Sequence, residues 1–327
     1  MIRLKNIITL VLGVVLITGG GLMPATGHAK DLKFSTPTPP PHIFTKSANK
    51  LAGMLKDQSG GKFTTKVHPL NKLGNVPAVI SLLRSGAIEF AIVPAGDLAR
   101  QEESFYSWFL PYAFEDVAAA GKAAQSASAT QILEKLESQG LVGLAYIFPG
   151  QRHVLSTFPI QSTEDMKNKK VRAFPNEIFE MWWKEVGAAP TALPLPEIAP
   201  SLVTGVIDAV DVDLDIVVGL KFHKNAPYLA LTNHMSFPGV LLASKKWWDG
   251  LSDADRTLVR TQIADVQAWA IAEQTRAEST NLDKLKADGV SVTVLDEAKF
   301  KQVGETVREN FLKRDPLIQK FYNETGN

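Results

Sequence analysis

No cysteine occurs among the 327 residues. Disulfides, thiolate metal sites, cysteine nucleophiles and a lipid-anchoring cysteine are therefore all excluded. Neither sign of charge is in excess: 35 basic against 34 acidic residues leave a formal net charge of +1. No global field draws such a chain to nucleic acid or to an anionic membrane. Beyond the N-terminal stretch, no apolar run reaches the roughly 20 residues needed to cross a bilayer. Signatures of nucleotide and hydrolase chemistry are missing as well, with no P-loop, no Gly-x-Gly-x-x-Gly after a strand and no Gly-x-Ser-x-Gly elbow. His42, His68, His153, His223 and His234 are nowhere paired at the i, i+4 spacing of a helical zinc site. Neither a cofactor nor a resident metal is expected.

What is present is ordinary globular composition, 45% hydrophobic and 21% charged, in a chain long enough for two domains. The opening "MIRLKNIITLVLGVVLITGGGLMPATGHAK" carries Arg3 and Lys5, an apolar run over residues 7–18 and small residues ending at Ala29. This is the pattern of a secretory signal peptide, with cleavage expected before Lys30. Residues 1–29 are then removed, and the mature chain works outside the cytoplasmic membrane without being embedded in it.

The mature chain reads as strands alternating with helices. "LKFSTPTPPP" is a strand running into a proline-rich turn, and Ala48, Leu51, Ala52 and Leu55 share one helical face. "FTTKVHP", a helix over "VPAVISLLRSG" and the apolar strand "AIEFAIVPAG" complete a first β-α-β-α-β unit. A helix over Val117 to Ser138 leads to the strand "LVGLAYIF". The pattern then restarts with "HVLSTFPI", "KKVRAF", a helix through Trp182 and Trp183, "VIDAVDVD", "YLALTNH" and "GVLLAS". Such alternation predicts mostly parallel sheets covered on both faces. From Ser252 to Gly289 a proline-free helical pattern, about 54 Å long if unbroken, is long enough to brace two lobes.

Few residues carry overt chemistry. Asp208, Asp211, Asp213 and Asp215 crowd one strand end, but they match no calcium-loop spacing, and alternation sends neighbours to opposite faces. Loop capping with one or two pocket contacts is the expectation. His153, beside Arg152, reads as a partly exposed loop histidine with no nucleophile at hand. In each of the pairs Trp182–Trp183 and Trp247–Trp248, one member is expected in the core and the other at its boundary.

The ordered series "LKFSTPTPPP", "SGGKFTTKVHPLNKLGN", "LLRSGAIEFAIVPAGDLA", "FLPYAF", "PGQRHVLSTFPIQSTEDMKNKKVRAF", "VGAAPTALPLPEIAPSLVTGVIDAVD" and "YLALTNH" resembles the DctP-like solute-binding subunit of tripartite ATP-independent periplasmic (TRAP) transporters. The resemblance covers essentially the whole mature chain. It implies an α/β, two-lobed periplasmic binding protein fold with a cleft between the lobes and a long helix bracing both. Lobe 1 is expected over 30–149 and 238–277, and lobe 2 over 150–237 and 278–327. It also implies a receptor, not an enzyme, that closes over a small organic carboxylate and delivers it to membrane permease subunits.

In that family an arginine in the strand after "DMKxxK" makes a bidentate salt bridge to the ligand carboxylate, and Arg172 falls on it. A planar guanidinium matches both carboxylate oxygens, which lysine does not. An earlier family arginine corresponds to Arg152, a second positive contact. Other pocket positions depart from the pattern of the sugar-acid members. The proline two residues after the arginine becomes Phe174, with Pro175 next. The Glu-Asn pair at the second-lobe strand end becomes Asp211 and Val212, followed by Asp213. A first-lobe acid falls on Pro94, the covering aromatic on Leu195, and Phe237 follows the Thr-Asn-His motif. Asn75, beside the loops near Pro39 and Pro94, completes the expected ligand contacts. These changes remove hydrogen-bonding groups and add apolar surface, so the expected ligand is a monocarboxylate with an apolar body. Two other readings stay open on the residues alone. One is an exported α/β enzyme with His153 or an aspartate of the cluster as base; the other is a sensing receptor that signals to a membrane partner.

Overall fold

The strand Phe90–Pro94 is buried along its whole length, because it lies inside a sheet with helices on both faces. In the computed structural model, which describes residues 31–295 and 298–326, eleven strands form two separate sheets. The expected signal segment lies outside the described residues. The strands are β1 (Leu32–Ser35), β2 (Thr65–His68), β3 (Phe90–Pro94), β4 (Leu141–Ile147), β5 (His153–Ser156), β6 (Lys170–Ala173), β7 (Ala189–Ala192), β8 (Ala209–Val212), β9 (Tyr228–Leu231), β10 (Gly239–Ser244) and β11 (Ser291–Val294). One sheet has the order β2-β1-β3-β10-β4, the other β11-β9-β5-β8-β6-β7. The chain is thus α/β with two lobes, each built on one sheet.

Each sheet holds one reversed strand, β10 in the first and β5 in the second, antiparallel to both neighbours. These are the first strands after the chain passes between sheets, through residues 148–152 and 232–238. A chain that leaves one sheet at a strand's C-terminal end enters the next at its facing edge, and must then run away from that edge. Register agrees: Gly239 at the start of β10 pairs with Pro94 and Ile147, and His153 at the start of β5 pairs with Val212 at the end of β8. The C-terminal ends of the other strands therefore face one another across a cleft, where ligands of open α/β sheets bind. The two crossings are tied by a Gln151–Ser236 bridge and by the Arg152 N–H donating to the Met235 carbonyl at 2.8 Å.

The long helix Asp253–Ala287 has 35 residues, about 52 Å at 1.5 Å each. Ser252 caps it, Asp253 and Asp255 sit in its first turn, and Lys284 and Lys286 in its last, each complementing the helix dipole. It packs on the helix Ile43–Gln58 and β4 of the first lobe and on the helix Leu214–Leu220 of the second. Beyond it the chain serves both lobes. β11 extends the second sheet, whereas the helix Pro316–Glu324 packs on Ala127–Glu134, with Glu324 accepting from the Ala127 and Ser128 N–H groups at 3.0 Å.

Several local expectations change. The single helix expected over Val117 to Ser138 is divided into Val117–Ala123, Ala127–Glu134 and a 3-10 turn Lys135–Gln139. Ser126 restarts it as an N-cap, accepting from Ala129 N–H. Both Trp182 and Trp183 are fully buried, between Tyr112, His234 and Phe300, so neither is a boundary residue; Trp248 is buried and Trp247 half-buried. His153 is no exposed loop residue either. It is buried in β5, and burial together with nearby His234 lowers its pKa to about 3, so it stays neutral.

Candidate ligand-binding site

Arg172 is the third residue of β6, opposite Val210 of β8 and Thr191 of β7. Its Nε donates to the Leu193 carbonyl at 2.8 Å, which fixes the plane of the guanidinium. The side chain is buried, and among the described residues no carboxylate lies within salt-bridge distance of it. Burial, reinforced by Arg152, pushes its pKa down to about 10, so it stays charged at neutral pH. A buried charge without a partner is costly, and here its outer nitrogens face a cavity.

Arg152 differs in this respect. Its guanidinium bonds the carbonyl and carboxylate of Asp211 and lies 3.5 Å from Asp213 Oδ2. Asp211 Oδ2 lies 3.5 Å from His234 Nε2, and His234 Nδ1 is paired with Thr232 Oγ1 at 2.8 Å. Burial would raise the Asp211 carboxyl, but Arg152 and His234 outweigh it and hold the group well below the usual carboxylate range. The Arg152 charge is already balanced by protein. Its guanidinium also covers the Phe237 ring, 4.4 Å from the centroid.

The cavity between the lobes has a volume of about 280 Å³. Arg152, Arg172, Phe174, Asp213, Phe237, Pro94, Asn75 and Leu195 all line it. Asp211 does not; it stands behind Arg152 as its counter-ion. Phe174 and Phe237 meet edge to face at 5.1 Å, and Val212 and Ile216 extend the apolar wall. Asn75 spends its Oδ1 capping the helix Val76–Ser85, accepting from Ala78 N–H at 3.1 Å. Asp213 likewise caps Leu214–Leu220 through Ile216 N–H at 2.8 Å. The first-lobe loop near Pro39 contributes Pro37 and Thr38 to the wall, while Pro39 itself packs against Gly219.

Sequence reasoning missed His42, Asp97 and Arg100, which also line the cavity. "PAGDLAR" did hold a signal for Asp97, an acid one helical turn beyond an apolar strand end. Nothing in the sequence marked His42, whose ring caps the helix Ile43–Gln58 and reaches to 3.6 Å from Asp213 Oδ1. Among the described residues no group of acids and histidines is arranged to hold a metal ion. The aspartate cluster is spent on capping and pairing: Asp208 accepts from Lys170 N–H at 2.9 Å, and Asp215 from Ile43 N–H at 2.9 Å.

The lobes touch on both sides of the cavity. On one side lies the Ile43–Asp215 contact; on the other, Asn176 Nδ2 donates to the Gly96 carbonyl at 2.7 Å. The chain is therefore folded as a closed two-lobed clamp around an interior space.

Residues 34–315 match the family described as bacterial extracellular solute-binding protein, family 7, or DctP. The chain belongs to this family. Among DctP relatives, the chain is 30% identical over 297 residues to the 2,3-diketo-L-gulonate-binding periplasmic protein YiaO of Escherichia coli, covering 88% of this chain and 89% of that one. Its fold superposes with a TM-score of 0.85, at 25% identity, on a TRAP periplasmic solute-binding protein of Xanthobacter autotrophicus with bound β-D-galacturonate; 90% of this chain and 99% of that one are covered. A sugar acid binding protein of Advenella mimigardefordensis in complex with galactonate aligns at 25% identity and a TM-score of 0.86, over 90% and 97% of the two chains. DctP proteins are periplasmic solute receptors of TRAP transport systems, not enzymes, and this chain is one of them. Among the described residues no helix is long and apolar enough to cross a membrane.

Proposed function

We propose that this receptor captures a monocarboxylate with a predominantly apolar body, held by Arg172, for delivery to its membrane permease. The observation that carries this reading is the contrast within one cavity. A buried guanidinium with no carboxylate partner faces a wall built from Phe174, Phe237, Leu195, Val212 and Ile216. The guanidinium calls for one carboxylate, and charge-assisted hydrogen bonds of this kind contribute roughly 1.5 to 3 kcal/mol net. That side of the cavity offers little to a polyhydroxylated body, the polar lining apart from its acids and arginines being gathered on the first-lobe side at Thr38, His42, Asn71 and Asn75. Each hydroxyl buried there without a partner costs about 1 to 3 kcal/mol. The relatives named above bind sugar acids; the apolar residues at Phe174, Leu195 and Phe237 support a different choice here.

Binding closes the lobes, which divide at the crossings 148–152 and 232–238, with the C-terminal helix Pro316–Glu324 packed back on the first lobe. Ligand held on Arg172 of the second lobe is covered by Pro94 and Asn75 of the first, favouring the closed state. Arg152, neutralised by Asp211 and Asp213, acts as a rigid floor that positions Phe237 and adds a weaker positive field. Calorimetric titration of the mature receptor tests the reading. Apolar monocarboxylates such as isovalerate or phenylacetate derivatives are expected to bind, and galacturonate to give no heat. Tight galacturonate binding with no response to the apolar acids would overturn it.

A further inference from the structure

The cavity holds two charges of opposite sign that do not meet each other. Arg172 comes from the second lobe; Asp97 comes from the first, on the short helix Ala95–Leu98 that follows β3. Among the described residues Asp97 makes no hydrogen bond and no ion pair. Its neighbour Arg100 donates instead to the Pro175 carbonyl. The other carboxylate in the wall, Asp213, is fully engaged by Ile216 N–H, His42 and Arg152. Thr38, which carries the hydroxyl of the wall, is bonded to Thr45. Of the two carboxylates in the wall, closure thus leaves one, Asp97, with no donor from the protein.

Resting on the reading of the site as an apolar-bodied monocarboxylate pocket, we propose that Asp97 is a specificity-determining residue that receives a hydrogen-bond donor, a hydroxyl or an ammonium, borne by the ligand near its carboxylate. A plain fatty or keto acid fills Arg172 and the apolar wall but leaves the Asp97 carboxylate dehydrated and unpaired, which opposes closure. A ligand with a donor bridges both lobes through charged groups, so the donor contributes to closure as well as to affinity. Burial supports the same role from another side: it raises the Asp97 carboxyl to about 6 against the opposing pull of Arg100 and Arg172, as expected of an acid without a partner.

Two series of ligands that each share one body test the proposal by calorimetry. The first is isovalerate, α-ketoisovalerate, α-hydroxyisovalerate and valine; the second is phenylacetate, phenylglyoxylate, mandelate and phenylglycine. In at least one series the hydroxy or amino acid is expected to bind about tenfold or more tighter than the plain and keto acids, a difference of about 1.4 kcal/mol. D97A is expected to erase that preference while still binding the plain acid. D97N separates the two donors: it keeps a preference for hydroxyl, which an amide oxygen accepts, and loses one for ammonium. Equal binding of plain and donor-bearing acids by the native receptor, or an undiminished preference in D97A, overturns the role of Asp97 and leaves the monocarboxylate reading standing. If neither series binds, both fall together.

Discussion

Phe174 of the second lobe packs tightly against Gly96 of the first: a methyl group built on Gly96 would sit 2.7 Å from Phe174 Cε1. The contact is closer than any side chain allows, so glycine is what lets the lobes meet beside the cavity. Gly96→Val is expected to hold the lobes apart and to weaken ligand binding about tenfold or more, since the closed state is the one with complete contacts. Small-angle scattering with saturating ligand checks it. A variant that compacts like the native receptor would show that this contact does not gate closure.

Arg172 is a buried charge that no protein carboxylate balances. Arg172→Met keeps the volume and removes the charge. The ligand-free variant is expected to be as stable as the native protein or more so, while carboxylate binding is lost. Urea denaturation together with titration reads both properties, and a large loss of stability would assign Arg172 a structural role instead.

Asp211 has the opposite character. Truncating it leaves Arg152 buried beside only the more distant Asp213, so Asp211→Ala is expected to cost about 3 to 5 kcal/mol of unfolding free energy. Denaturant unfolding measures this directly. A cost below about 1 kcal/mol would mean that the pair is not held as described.

Glu278 of the long helix sits beneath Gly150 at the first crossing and accepts from Gln274 Nε2 at 3.3 Å. Burial, with Asp213 and Asp215 nearby, raises its carboxyl to about 8. An acid raised in the folded state destabilises progressively as pH climbs from its unfolded value, near 4.5, up to its folded one. Glu278→Gln is therefore expected to gain stability relative to the native chain as pH rises from 5 to 8, with little difference at 5. Thermal unfolding across that range tests it, and parallel pH profiles for the two proteins would rule it out.

Much of the fold was legible because alternating apolar strands and capped helices leave strong local signals. β3, β4, β8 and β10 and the helix Asp253–Ala287 all stand where periodicity puts them. What was not legible arises from the crossings. β5 and β10 read locally like any other strand, and only the passage between sheets reverses them. β7 and β11 are four-residue strands of mixed burial, too short for alternation to register. Arg172 and Arg152 look alike in sequence, and three-dimensional pairing with Asp211 and Asp213 is what distinguishes them. His42 was invisible for a related reason: it enters the site through a helix cap contributed by the opposite lobe from Asp213.

The central claim, a pocket for one carboxylate on an apolar body, is tested most directly by identifying what the native host loads into the receptor. Mild denaturation of the purified, undialysed protein, followed by accurate mass measurement of the released small molecule, is predicted to yield a monocarboxylic acid with a hydrocarbon body and one donor group beside the carboxylate. Release of a hexuronate, an aldonate or another polyhydroxylated acid would contradict the account.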